Sequence, residues 1–235
     1  MLKKTVKYLI LLSFIAISSL SYAQQRLDGI EFERIPQRTV RKYIARQIEE
    51  GKFHFDDIHP SCTKGQDLSS FREKVMTFFL DGNLQDIWQG YTSANPTLSW
   101  NGRTISFGVL LWKYPGQVFY DHDQILGVDT GQVYYLNLNL LMGVFNLPVA
   151  FEMITVNPID KIIEFSYLDG NKSVGVQQVR FIDFGDDQTE IIHTSYYKSG
   201  SYIRDKFMYP YFHKRIVKDF HHNMQKLLNL DSTRM

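Results

Sequence analysis

From Ile105 to Tyr197 the chain reads as strand after strand. Residues 105–113, 117–121, 132–142, 149–156, 161–168, 173–184 and 189–197 are rich in branched and aromatic side chains. Short segments bearing Gly, Asp, Asn or Pro divide most of them, and 124–128 leads through Asp129-Thr130-Gly131 into the third. Connections this short make neighbours antiparallel, because a parallel crossover needs a dozen residues. Asp169-Gly170 is the strongest hairpin signal, since both turn positions of such a pair tolerate positive φ. After Tyr197 the period changes. Phe212, Ile216, Phe220, Met224, Leu227 and Leu228 recur at intervals of three or four, which predicts one amphipathic helix over 207–230. A long helix that follows a run of hairpins packs across the sheet they make. If that sheet is curved, the two enclose a space where a small apolar molecule would sit.

Two shorter helices are legible ahead of the strands. Asn83 is a good N-cap, with Asp86 three residues on and Leu84, Ile87, Trp88 and Tyr91 on one face, giving a helix to about Ala94 that Pro96 ends. Upstream, Pro36 opens a helix over 36–51, with Val40, Tyr43, Ile44 and Ile48 on its apolar face and Gly51 as its stop. Residues 24–34 have no period, 51–70 are polar and turn-rich, and 71–80 read as the first strand. The alternation within strands is uneven. Tyr134, Leu136, Leu138, Leu140 and Met142 share one face, yet Val133 and Tyr135 stand on the other beside Asn137 and Asn139. A plain one-sided sheet separates polar from apolar more cleanly. Mixed faces are expected either of a sheet lining a partly polar cavity or of edge strands.

Residues 1–23 read as a cleaved leader. Lys3, Lys4 and Lys7 precede an apolar run, Tyr8 to Leu20, and Ser21-Tyr22-Ala23 places small residues where a signal peptidase cuts. The run is short of the roughly 20 residues that span a bilayer. The expectation is export to a periplasmic or extracellular space, with cleavage before Gln24. That leaves roughly 210 residues, enough for one domain. Losing three lysines takes the formal charge from +1 to about −2, a balance that gives no reason to expect nucleic acid. Cys62 is the single cysteine, so no intramolecular disulfide is available.

Strand, helix, antiparallel meander and long last helix is the order of the START-like, Bet v 1-like helix-grip superfamily, which includes polyketide cyclase-like proteins. This chain resembles it over about 71–230. The local matches are 81–96, DGNLQDIWQGYTSANP, and 211–228, YFHKRIVKDFHHNMQKLL. The resemblance implies an α+β helix-grip fold, with a curved antiparallel sheet of about seven strands wrapped on the C-terminal helix. It also implies a deep cavity that takes lipids, sterols, polyketides or other hydrophobic molecules. Residues 24–70, with the extra N-terminal helix, lie outside it. An NTF2-like cone is the structural rival, but such cones end on strands.

The expected role is an exported binding or carrier protein for a hydrophobic, lipid-like small molecule. Its expected lining is Trp88, Tyr91, Trp112, Tyr135, Phe165, Phe181, His193, Phe212, Ile216 and Phe220, with His193, Gln177 and Arg180 orienting the guest. The alternatives are a cyclase- or hydrolase-like enzyme with His193 as base, and an envelope interaction module whose interior is filled. No nucleophile motif or phosphate loop is present, and no catalytic residue, metal or cofactor is expected. His54, Asp56, Asp57, His59 and Cys62 cluster, but their spacing fits no zinc finger. Adjacent His221 and His222 are not at paired-ligand spacing, and His122 reads as an exposed turn residue. Arg204, Lys206, Lys214, Arg215 and Lys218 make the entry to the last helix basic: a solvated face, or a transient contact with an anionic membrane surface.

Overall fold

Eight antiparallel strands form one sheet in the order β1-β8-β7-β6-β5-β4-β2-β3. They are β1 (Arg72–Asp81), β2 (Ile105–Trp112), β3 (Gln117–Tyr120), β4 (Gln132–Leu140), β5 (Phe145–Asn157), β6 (Ile162–Tyr167), β7 (Ser173–Gly185) and β8 (Gln188–Ser199). This computed structural model describes residues 26–228, apart from positions 126, 141, 142 and 172 and the side chain of Arg204. The leader read at 1–23 and the last two residues of the helix read over 207–230 lie outside the described residues.

The described part of the apolar run 140–148 carries β5 back to Phe145. Pro148 falls where β5 has β4 on one side and β6 has not yet begun, so its missing donor disturbs no second ladder. At Asp169-Gly170 only the glycine has positive φ. The tight pair is Asp186-Asp187, at φ 50° and 55°. The β6–β7 connection is drawn instead toward the N-terminal segment, where Leu168 bridges Pro60 and Asp169 N donates to His59 O at 2.8 Å.

Both faces of the sheet are covered, which accounts for the mixed alternation. On the outer face lies α1 (Arg38–Glu49) with the turns that flank it. Val40, Tyr43 and Ile44 pack there with Leu27, Ile35, Phe55 and Ile58 against Val109, Leu111, Val133, Tyr135 and Ala150. Tyr135 donates to Gln47 Oε1 at 2.8 Å and Thr39 to Asn137 Oδ1 at 2.7 Å. The buried Lys113 Nζ meets Glu152 Oε2 at 2.7 Å and Ile58 O at 2.6 Å, tying this layer to β2 and β5. The extra N-terminal segment therefore backs the sheet and does not cap its inner side.

On the inner face lie α2 (Leu84–Ser93), α3 (Pro96–Ser99) and α4 (Tyr209–Leu227). Asn83 Oδ1 accepts from Asp86 N at 2.9 Å, the cap expected for α2. Pro96 ends that helix and, capped by Asn95, starts the short α3 that delivers Trp100 into the core. A π-helical turn, Arg204–Met208, leads into α4. Three hydrogen-bond sets hold α4 down. Asp219 Oδ2 accepts from both Thr104 N and Thr104 Oγ1, Asn223 Nδ2 donates to Ser99 O and Asn101 O, and Lys74 Nζ donates to Pro210 O at 2.6 Å.

The buried stripe of α4 sits one residue on from the predicted one. His213, Val217, His221, Met224 and Gln225 face the sheet, while Ile216 and Phe220 are half-buried flanks and Leu227 is exposed. Residue i+1 lies 100° round a helix, so a stripe read from apolar residues alone missed the face that carries two histidines.

Candidate functional site

Strand pairing sets the sheet side of the site. Ile191, His193, Ser195 and Tyr197 point inward from β8, and Gln177, Val179 and Phe181 do so from β7, with Gln177 opposite Ser195 and Val179 opposite His193. From α4, His213 and His221 are two turns apart on the face turned toward them. From α2 comes Tyr91, fully buried with Trp88 against Phe181.

These side chains form one buried polar chain across the helix–sheet interface. The Tyr91 hydroxyl meets His221 Nδ1 at 2.9 Å, and His221 Nε2 meets His193 Nδ1 at 3.0 Å. His193 Nε2 meets Gln177 Oε1 at 3.3 Å, and His213 Nε2 meets the same oxygen at 3.0 Å and Ser195 Oγ at 3.4 Å. Gln177 Nε2 donates to the Tyr209 hydroxyl at 3.1 Å, and Tyr209 meets the Tyr167 hydroxyl at 2.7 Å. Burial holds all three imidazoles neutral. It pushes His193 down to about 3, and His213 and His221 well below the ordinary histidine value, with His193 adding to both. The same cause raises Tyr91 and Tyr209 and pushes Tyr167 up to about 12.

Beside this chain lies a cavity of about 50 Å³, bounded by Trp100, Phe151, Phe165 and Val217 on its apolar sides and by Gln177, His193, His213 and Tyr167 on its polar one. Leu138, Val149, Tyr167, Ile216 and Phe220 in its wall are partly exposed, so it approaches the surface between α4 and β4–β5–β6. A second space of about 20 Å³ lies behind Trp100, Phe165 and Phe220, which border both. The deep cavity implied by the resemblance is thus largely occupied. Trp100 stacks on Phe220 with ring centroids 4.2 Å apart, and Phe151 packs on Phe165 at 4.7 Å. Drug-sized guests need about 300 Å³ or more, and a benzene-binding cavity is about 150 Å³. A lipid-sized guest therefore does not fit unless α4 or its flanking side chains move.

Of the twelve residues read from sequence, Phe165, Gln177, His193, Ile216 and Phe220 meet at this cavity. Tyr91 enters the polar chain, and Trp88 and Phe181 pack next to it. Four lie elsewhere. Tyr135 points to the outer face beneath α1, Arg180 is exposed on that same outer side of β7, Trp112 packs on Phe119 near the β2–β3 turn, and Phe212 sits half-buried against Tyr211. Tyr135 and Arg180 were misplaced because alternation leaves open which face is inner. Trp100, Phe151, Tyr167 and His213 were missed. For His213 the i, i+4, i+8 spacing with Val217 and His221 was the available signal. His193 has both ring nitrogens engaged and is a weak base in this setting, so the geometry gives no support to it as a general base.

Among the described residues no three His, Cys, Asp or Glu side chains come together as a metal site. In the 54–62 segment Asp57 Oδ2 accepts from Phe53 N and His54 N, which keeps its carboxyl below the usual range, while Cys62 is buried with its thiol pushed up by burial.

No protein-family model matches this chain, and no curated protein does. Among solved structures it is similar to norcoclaurine synthase from Thalictrum flavum in complex with dopamine and hydroxybenzaldehyde, at 14% identity and TM-score 0.49 over 71% of this chain and 94% of that one. It is also similar to the ginseng major latex-like protein of Panax ginseng, at 15% and 0.46 over 65% and 97%, and to an aromatase/cyclase from a Streptomyces species, at 10% and 0.43 over 67% and 91%. The chain itself has an α+β helix-grip fold, one curved antiparallel sheet of eight strands with a long C-terminal helix across it. At these identities the likeness carries nothing to the chemistry of this chain.

Proposed function

We propose that this protein binds a small hydrophobic molecule bearing one polar group, held between the inner face of the sheet and α4. The observation that carries the reading is the Tyr91–His221–His193–Gln177–His213 chain set into the wall of an apolar cavity. Buried polar groups weaken a core that needs only packing, and His213 Nδ1 is buried with no protein partner at all. A polar strip that costs stability, turned toward a space that reaches the surface, fits a role in orienting a guest. Entry requires the partly exposed Ile216 and Phe220 to swing aside. Removing water from the guest's apolar surface then supplies about 25 cal/mol per Å² covered.

Native mass spectrometry of protein purified from its own host, followed by titration with small apolar probes under Trp100 fluorescence, tests this. A co-purifying adduct or saturable quenching supports binding. A bare chain that responds to no probe overturns it and leaves the filled-core interaction module as the better reading. The proposal extends to an exported carrier, on the strength of Lys3, Lys4 and Lys7, the apolar run that follows and Ser21-Tyr22-Ala23. A mature N-terminus at Gln24 supports export, and retention of the lysines overturns it.

A further inference from the structure

One side chain fixes the proton order along the buried chain. Gln177 presents its Oε1 to two imidazole nitrogens at once, His193 Nε2 and His213 Nε2. An amide oxygen only accepts, so both Nε2 atoms carry hydrogen, and in neutral rings both Nδ1 atoms are then lone pairs. His193 Nδ1 accepts from His221 Nε2, which leaves His221 Nδ1 to accept from the Tyr91 hydroxyl. On the other side Gln177 Nε2 donates to Tyr209, and the Tyr209–Tyr167 contact of 2.7 Å takes its hydrogen from one of the two hydroxyls; we assign Tyr209 as the donor.

Followed to its ends, this order leaves two groups over. His213 Nδ1 is an acceptor with no partner in the protein, and with Tyr209 as the donor the hydrogen of Tyr167 has no acceptor within the polar chain. His213 and Tyr167 both border the cavity. Resting on the function proposed above, we infer that the guest is an alcohol or phenol, whose hydroxyl donates to His213 Nδ1 and accepts from Tyr167. A ketone satisfies Tyr167 alone and sets its oxygen against a lone pair. A carboxylate does the same and brings an unpaired charge into an apolar wall. A space of about 50 Å³ suits a hydroxyl and its first carbons, with the rest of the guest passing out between α4 and β4–β5.

The test is a titration of the full chain with 1-hexanol, 2-hexanone and hexanoate, followed by Trp fluorescence and by the ¹⁵N resonance of His213 Nδ1. Hexanol should bind at least tenfold more tightly than the other two, the loss expected when a buried polar group is left unpaired, and should move the Nδ1 resonance. Tyr167→Phe should weaken hexanol and hexanone alike and leave hexanol ahead, and His213→Phe should bring the alcohol to the level of the ketone. If His213→Phe does not fold, Tyr167→Phe decides: a hexanol preference that vanishes there overturns the inference. Ketone or carboxylate binding as well as hexanol overturns this inference and leaves the binding site standing. Failure of all three to bind overturns the site and the inference together.

Discussion

Acid should loosen the grip of α4 well before it reaches the carboxylates. The perturbation is a shift from about pH 7.5 to about pH 5. His193, His213 and His221 are buried with no carboxylate hydrogen-bonded to any of them, and each has its pKa lowered by burial. A base whose pKa falls on folding takes up its proton more readily in the unfolded chain. Stability is therefore full above the unfolded value and is lost as pH drops through it, down to the folded value. For His193 that window runs from 6.5 to about 3. By pH 5 the loss from this one residue is about 2 kcal/mol. His213 and His221 act in the same direction, so the slope approaches about 4 kcal/mol per pH unit in the limit of three protons. A domain of this kind has roughly 5–15 kcal/mol in all. The lowered carboxyls of Asp28, Asp57 and Asp67 are exposed and titrate in a more acidic range, which leaves the stretch from pH 6.5 to 5 to histidine. Glu152, raised by burial, works in the opposite sense and makes the observed slope shallower. Urea unfolding followed by Trp fluorescence at several pH values measures the effect. His193→Gln should remove about one proton from the slope. Stability that stays level within about 0.5 kcal/mol between pH 7.5 and 5 would refute the neutral-chain reasoning.

Other perturbations separate the layers of the fold. Glu152→Ala strands the buried Lys113 and should cost about 3–5 kcal/mol, whereas replacing both by Leu and Met should cost far less; urea midpoints of the two variants check this. Gly108 lies at the β2 bulge, where an added Cβ would stand 2.8 Å from Tyr135 O and 3.0 Å from a Val40 methyl. Gly108→Ala should therefore push α1 off the sheet and cost about 1–3 kcal/mol, read as a lowered Tm and faster amide exchange in residues 38–49. Phe220→Ala should cost about 2–4 kcal/mol and join the two small spaces beside Trp100, so that larger apolar probes bind more tightly. Unchanged probe affinity in a folded Phe220→Ala protein would show that the ring does not bar entry.

Local pattern alone determined much of this molecule. Period-two segments gave the strands, short turns gave their antiparallel order, and Asn83 and the Pro36–Gly51 stretch marked two helices, because these features depend on residues a few positions apart. The lining was only partly legible. Phe165, Gln177, His193, Ile216 and Phe220, all expected in the lining, border one space. Tyr135 and Arg180 fell on the wrong side, since alternation is blind to which face another layer will cover, and here both faces are covered. The tertiary structure decided the rest. It turned α4 by one residue so that histidines rather than phenylalanines met the sheet, and it brought Trp100 in on a helical turn that Pro96 both interrupts and begins. Imidazoles count as polar in any one-dimensional pattern. Only a partner on another element, as Gln177 is for His193 and His213, makes their burial tolerable, and such pairing across 16 and 36 residues exists only once the chain has folded.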